Sequence, residues 1–385
     1  AQTAQAAVPC LLALGDSETL SERAHEAIEA LRGLPAVDVE AWYRLGAPLL
    51  SAWAGAETAL GHAEDTIEPL KQQIDAIASS RLDMAVARLP DLRRAMGDAL
   101  RAGGDVHRAL DHWLAALRDL PFAPGFQLEA DLSIRISDAY REINDGVHAV
   151  QFARTALTKA RLARDLVRES EALRTLAVAL RDIGELDDAE AQLGEALNAL
   201  GRVDRPRLAA EVSVLLATVL MQRGAIDEAD AALAKACRSF AALTDLTGLA
   251  DALRQRGEIQ MAQGIYTRAL AFAEESARQA VLATATPLHV RALLLAARAS
   301  AAAGDYSYAH TALADSFELV PPTAATLERA ECLMTLADLL EADVLTSDRD
   351  VGSLLSETAD VYAAAGAAQQ AEAIRRRVRT MAEPN

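Results

Sequence analysis

Hydrophobic residues recur along this chain at the spacing of amphipathic helices, and the predicted helices come in pairs. Between residues 173 and 180 leucines recur every three or four positions, and after a short turn a similar spacing returns between residues 186 and 197. An apolar stripe with this period predicts a helix that buries one face. The pattern therefore predicts a helical hairpin, and similar pairs follow one another along most of the chain.

The hairpins repeat with a period of 40 residues. At each predicted turn stands a residue that tolerates the left-handed conformation, and an alanine follows five positions later. The turn residues are Gly104, Asn144, Gly184, Gly224, Gly264 and Gly304, and the alanines are Ala109, Ala149, Ala189, Ala229, Ala269 and Ala309. We expect Asp105, Glu185 and Asp305 to begin second helices, and each alanine to allow the two helices of its hairpin to pack closely.

The regular period covers about residues 82–322, and both ends of the chain depart from it. In the irregular N-terminal repeats, residues 1–81, we expect turns at Gly15 and Gly55, the second followed by a long helix over about 56–79. The C-terminal part, residues 323–385, is predicted to hold a degenerate last hairpin and a capping helix.

No linker interrupts this pattern, so we predict a single all-α solenoid domain over residues 1–385. In such an array each hairpin packs mainly on its neighbours, which explains how a chain of this length folds without one central core.

Several residues of the hairpins resemble the signature of the tetratricopeptide repeat (TPR) family, whose first helix carries Trp, Leu-Gly and Tyr at fixed spacing. In the segment that begins at Trp42, Leu49 stands where the family has its tyrosine. The matching residues are Trp42, Leu45, Gly46, Gly97, Tyr140 and Gly257. The usual family repeat is about 34 residues, and a period of 40 resembles longer variants found in regulators. The resemblance implies a right-handed superhelical solenoid of about nine TPR-like hairpins plus a C-terminal capping helix, with first helices lining a concave groove.

Charge and composition narrow the function. The net charge of −18 opposes direct binding of nucleic acid and of acidic membranes. No apolar run reaches the length of a membrane span and no signal peptide opens the chain, so we expect a cytoplasmic location. Cys10, Cys237 and Cys332 lack metal-site spacing, and nucleotide, zinc and hydrolase motifs are missing. We therefore expect no enzymatic activity, no cofactor and no metal.

The least ordinary feature of so acidic a chain is a set of arginines at predicted groove positions. Arg291 and Arg298 lie in a helix that contains no acid, and Arg174 is followed on its face by Val178. A guanidinium binds a carboxylate through a planar fork of donors. The candidate ligand-groove residues are Arg141, Arg174, Arg181, Arg254, Arg291 and Arg298.

Two interpretations of these arginines stay open. Either they bind an acidic or carboxylate-bearing protein or peptide segment, or they pair with acids of neighbouring repeats and only hold the stack. Two functions stay open as well. The first is a protein- or peptide-binding sensor or regulatory arm of a larger bacterial signalling or transcription-regulating protein. The second is a free-standing adaptor that scaffolds an assembly. A catalytic partner fused outside this chain is a remoter third.

Overall fold

The computed structural model describes residues 16–32, 42–79, 86–120, 125–346 and 349–382, and in these ranges the chain forms α-helices and no strand. A short π-helix, Trp42–Gly46, leads directly into the second α-helix. The helices are α1 Ser17–Arg32, α2 Ala47–Leu60, α3 Glu64–Ser79, α4 Leu89–Ala102, α5 Val106–Arg118, α6 Phe126–Glu142, α7 Gly146–Ala163, α8 Leu166–Asp182, α9 Leu186–Leu200, α10 Pro206–Arg223, α11 Ile226–Ala242, α12 Leu246–Ala262, α13 Tyr266–Leu282, α14 Thr286–Ala302, α15 Tyr306–Glu318, α16 Leu327–Glu341, α17 Val351–Ala364 and α18 Ala368–Ala382. The predicted all-α helical-repeat fold is confirmed.

The six predicted turn residues all adopt positive φ, from 62° at Asn144 to 88° at Gly184. In each turn the next residue donates its N–H to the carbonyl five positions back, as Asp105 does to Leu100 at 2.9 Å and Asp305 to Ser300 at 2.9 Å. This 6→1 bond is the C-terminal capping motif that a left-handed residue permits. The period of 40 therefore marks the six hairpin turns between α4 and α15.

The six turn alanines are all fully buried, with 0% of their surface exposed. At Ala149 the second helix lies so close to the first that Ser137 Oγ donates to the Ala149 carbonyl at 2.8 Å. The side chains of Asp105 and Asp305 accept backbone N–H bonds at the start of α5 and α15. Glu185 also stands at the start of its second helix, α9, as expected, but its side chain makes no capping hydrogen bond.

The N-terminal prediction was wrong at Gly55. That residue lies inside α2, and the helix ends instead at Gly61, where φ is +87°. The N–H groups of Gly61 and His62 bond back to the carbonyls of Thr58 and Glu57. The expected helix over 56–79 is therefore divided between α2 and α3. The turn predicted at Gly15 falls outside the described residues.

The second helices end in a way that the sequence pattern did not indicate. Arg164, Thr244 and Thr284 adopt φ of 52° to 55° just beyond α7, α11 and α13. Side chains with a Cβ adopt this region at a cost of roughly 1–2 kcal/mol. The left-handed turn between hairpins thus recurs on the same 40-residue frame, although no glycine marks it.

The chain forms two compact units, Ala1–Val203 and Asp204–Asn385. In the first unit, α6 packs against α8, and in the second, α12 packs against α14 and α14 against α16. These are first helices of consecutive hairpins, and they pack on each other more closely than second helices do. Within each unit the first helices therefore form one continuous layer.

Candidate functional site

The first-helix layer presents the face on which the sequence placed a groove. We define the first-helix face as the positions 13, 10, 6 and 3 residues before each turn residue. In α4 and α6 all of these positions are partly exposed, and in α8 all except Val178 are. In α12 they are also all partly exposed, whereas the residues between them are mostly buried. The face is thus a half-exposed stripe over a buried helix interior.

In the first unit, two of the predicted arginines hold a carboxylate of the chain itself. Arg141 Nε donates to Asp182 Oδ2 at 2.7 Å, and Arg181 Nη2 donates to Asp182 Oδ1 at 2.7 Å. Asp182 ends α8, so the bond from Arg141 joins α6 to the next first helix. Arg141 also reaches Asp138 at 3.3 Å on its own helix. This geometry shows that the face can clamp a carboxylate between two guanidinium groups.

Arg174 differs from the other predicted arginines. It is half-buried on α8, and among the described residues it makes no hydrogen bond and no ion pair. The neighbouring carboxylate, Glu171, has a raised pKa because burial disfavours its charge and Asp131 adds a second negative charge nearby. The charges of Arg168 and Arg174 act against this rise in the pKa, so Arg174 interacts with Glu171 electrostatically. Because the Arg174 guanidinium makes no hydrogen bond to a described residue, its donors stay available to a ligand.

In the second unit, the other three predicted arginines border one cavity of about 230 Å³. Glu258 connects two of them, because Arg298 donates to it at 2.6 Å and Arg254 lies 4.0 Å away. Arg291 Nε donates to Glu331 at 3.1 Å. Three arginines and three carboxylates border the cavity, so its formal charges balance.

These contacts show where the partners of two predicted arginines lie. The helix of Arg291 and Arg298 contains no acid, and the sequence left open whether acids of neighbouring repeats pair with them. The partners lie 40 residues away on the adjacent first helices, Glu331 on α16 and Glu258 on α12. The stacking role of these arginines is therefore present, and ligand binding by the same groups stays a prediction.

Sequence reasoning missed two further ion pairs between first helices, in which an arginine beside the defined face bonds to an acid on it. Arg135 bonds to Asp98 at 2.7 Å, and Arg168 bonds to Asp131 at 2.9 Å, each across two first helices. In both pairs the arginine follows the acid by 37 residues, which is one repeat minus about one helical turn. That spacing was the signal from which the sequence could have predicted the pairs. Tyr362 of α17 also borders the 230 Å³ cavity, and burial raises the pKa of its phenol.

The side chains in the described ranges bring together no group of three or more His, Cys, Asp or Glu that could hold a metal ion. Cys237 and Cys332 are buried free thiols, and burial raises the pKa of each. In those same ranges no helix is both long and apolar enough to cross a bilayer.

Comparisons with known proteins identify the fold. No family model matches the chain, and no curated protein sequence matches it. Among solved structures, the apo form of RapI is similar over 98% of this chain and 97% of that one, with a TM-score of 0.67 and 13% identity. The apo quorum sensor NprR from B. thuringiensis is similar over 99% and 98%, with a TM-score of 0.55 and 11% identity.

A third structure carries a tetratricopeptide repeat sensor: a signal transduction ATPase with numerous domains from Pyrococcus horikoshii. It matches over 94% of this chain and 52% of that one, with a TM-score of 0.54 and 10% identity. These likenesses identify the chain's fold as a TPR-like helical-repeat solenoid, as its turn and helix residues predicted.

Proposed function

We propose that this chain is a non-enzymatic domain that binds a protein or peptide, and that its first-helix face receives an acidic or carboxylate-bearing segment. We further propose that it serves as the sensor or regulatory arm of a larger bacterial signalling or transcription-regulating protein. The observation that carries the proposal is Arg174, a half-buried guanidinium on this face without an ion-pair partner among the described residues.

Desolvation explains why Arg174 favours an acidic ligand. A charge that is partly removed from water loses hydration, and a carboxylate restores the lost interactions through charge-assisted hydrogen bonds. Such a bond contributes about 1.5–3 kcal/mol. The clamp on Asp182 by Arg141 and Arg181, on the same face, supports this chemistry.

The solved structures support the regulatory part of the proposal. One similar chain is a quorum sensor, and another carries its tetratricopeptide repeats as a sensor within a signal transduction ATPase. The full reading frame separates the sensor arm from the free-standing adaptor. A nucleotide-binding or DNA-binding domain ahead of residue 1 supports the sensor arm, whereas a start codon adjoining residue 1 supports the adaptor.

Binding of an acidic peptide tests the site directly. The probe is a fluorescein-labelled peptide of alternating Glu and Ala, compared with the same peptide carrying Gln for Glu. Arg174→Gln should weaken binding of the acidic probe about tenfold or more, from the loss of one charge-assisted bond. Arg154→Gln is the matched control. This substitution removes the same charge, but from an exposed position on the second helix α7.

The second part of this test is a substitution that should strengthen binding of the acidic probe. Asp182→Ser removes the carboxylate that occupies Arg141 and Arg181, so affinity for the acidic probe should rise. Equal affinities for wild type, Arg174→Gln and Asp182→Ser would refute an acid-binding face. Loss of thermal stability in Arg174→Gln with unchanged affinity would leave that arginine a purely structural role.

A further inference from the structure

A second cavity on the first-helix face of unit 204–385 is larger and has an apolar floor. It measures about 470 Å³ and lies among α10, α12 and α14. Val214, Leu288 and the buried Phe240 contribute its apolar surface. Its volume exceeds that of a single leucine or phenylalanine side chain, so it has room for one.

The carboxylates around this cavity are already neutralised by neighbouring cations. Arg207 lies 3.3 Å from Glu211 and 3.0 Å from Asp245. Asp251 lies 2.8 Å from Arg254. The charges around this cavity are therefore paired, and its apolar surface is what distinguishes it from the 230 Å³ cavity.

Arg291 borders both this cavity and the 230 Å³ cavity beside it. Among the described residues the Arg291 guanidinium makes one hydrogen bond, from Nε to Glu331, and its Nη2 lies 3.9 Å from Glu328. The Arg298 guanidinium makes one hydrogen bond, from Nη2 to Glu258. A guanidinium carries several further N–H donors. An apolar hole thus adjoins guanidinium groups that retain donors for a carboxylate.

We propose that this face binds a peptide that places a leucine or phenylalanine side chain in the α10–α14 cavity and a carboxylate between Arg291 and Arg298. The inference rests on the proposed function and names its ligand class. The midpoint between these arginines lies about 10 Å along α14 from Leu288, at ~1.5 Å per helical residue. An extended peptide covers that distance in about three residues, which sets the spacing between the apolar and acidic groups.

The test uses labelled octapeptides of Ser and Gly, acetylated and amidated at their ends. One carries Leu followed three positions later by Glu, a second replaces Glu by Gln, and a third replaces Leu by Ser. The proteins are the full chain, Leu288→Gln, and Leu282→Gln as a matched control on an exposed position of α13 outside the cavity. Thr247→Trp fills the cavity from its exposed rim without removing an apolar contact.

The peptide with both groups should bind at least tenfold more tightly than the Ser-for-Leu peptide, because it buries a leucine side chain. It should also bind at least tenfold more tightly than the Gln-for-Glu peptide, because it makes a charge-assisted hydrogen bond. Leu288→Gln and Thr247→Trp should remove that advantage, and Leu282→Gln should keep it. If the Glu-only peptide binds equally well, the apolar anchor is wrong and acid recognition stands. If none of the peptides binds, the inference is overturned. The binding measurement on Arg174→Gln then decides the proposed function separately.

Discussion

Replacing Gly257 by alanine tests how closely the two helices of a hairpin approach. A Cβ at this position would lie 2.6 Å from Leu295 Cδ2 and 3.3 Å from the carbonyl oxygen of Ala269. The leucine end can rotate away, but the carbonyl belongs to the backbone of α13. Overpacking of this kind costs about 1–3 kcal/mol, whereas alanine in place of glycine gains at most about 1 kcal/mol in a helix. We expect a net destabilisation of about 1 kcal/mol.

Gly194→Ala is the matched control, because the same substitution in α9 meets nothing within 4 Å. It should stabilise its helix by roughly 0.4–1 kcal/mol. Amide hydrogen exchange measures each effect locally, and ~1.4 kcal/mol corresponds to a tenfold change in protection. Opposite signs are expected, with faster exchange in α12 and α13 for Gly257→Ala and slower exchange in α9 for Gly194→Ala. Equal stabilisation by both would refute the close approach at Gly257.

Two further predictions concern packing and pH. Ala229 is a fully buried turn alanine, so Ala229→Leu should lower the free energy of unfolding by about 1–3 kcal/mol. Hydrogen exchange should become faster mainly in its own hairpin and the adjacent ones. Unchanged exchange across 206–241 would contradict the close packing of this hairpin. Burial, and then the charges of Arg93 and Arg108, lower the pKa of His112. Because the unfolded histidine takes up a proton below about pH 6.5 while the folded one resists it, stability should be full above that pH and fall as the pH decreases through the lower folded value. His112→Gln should flatten this part of the curve, as followed by urea unfolding with tryptophan fluorescence; an unaltered slope would assign it to other groups.

The sequence predicted the parts of the fold that depend on backbone conformation and side-chain volume. Glycine and asparagine adopt a left-handed turn at little cost, and a close helix crossing requires a small residue. Gly184 and Ala189 meet these two requirements, so the sequence alone indicated the turn and the crossing. The same reasoning failed where other residues meet the requirement. Thr244 and Thr284 adopt positive φ without glycine, and Gly55 is a glycine in a helix where no turn occurs.

The candidate site was less predictable, because ion pairs depend on the register between neighbouring helices. Arg298 and Glu258 are 40 residues apart, whereas Arg135 and Asp98 are 37 apart. A helix rotated by one residue would exchange these partners for others, and a single sequence does not fix that rotation. The positions of the six arginines on first helices were accessible to sequence reasoning, and their partners were not.

The ion pairs between first helices also help to distinguish one hairpin junction from another. Turn glycines and buried alanines are nearly identical in every repeat, so by packing alone one hairpin could replace another. The charged pairs differ between some junctions: Asp98 with Arg135 joins α4 to α6, whereas Glu258 with Arg298 joins α12 to α14. The pairs Arg101–Glu142 and Arg141–Asp182, by contrast, repeat one register at two junctions. A chain in which two repeats were transposed would keep its turns and close crossings but would leave half-buried charges beside the wrong neighbours. The uniform backbone frame thus carries junctions that differ in part, and where the charged pairs differ they favour the correct neighbouring hairpin.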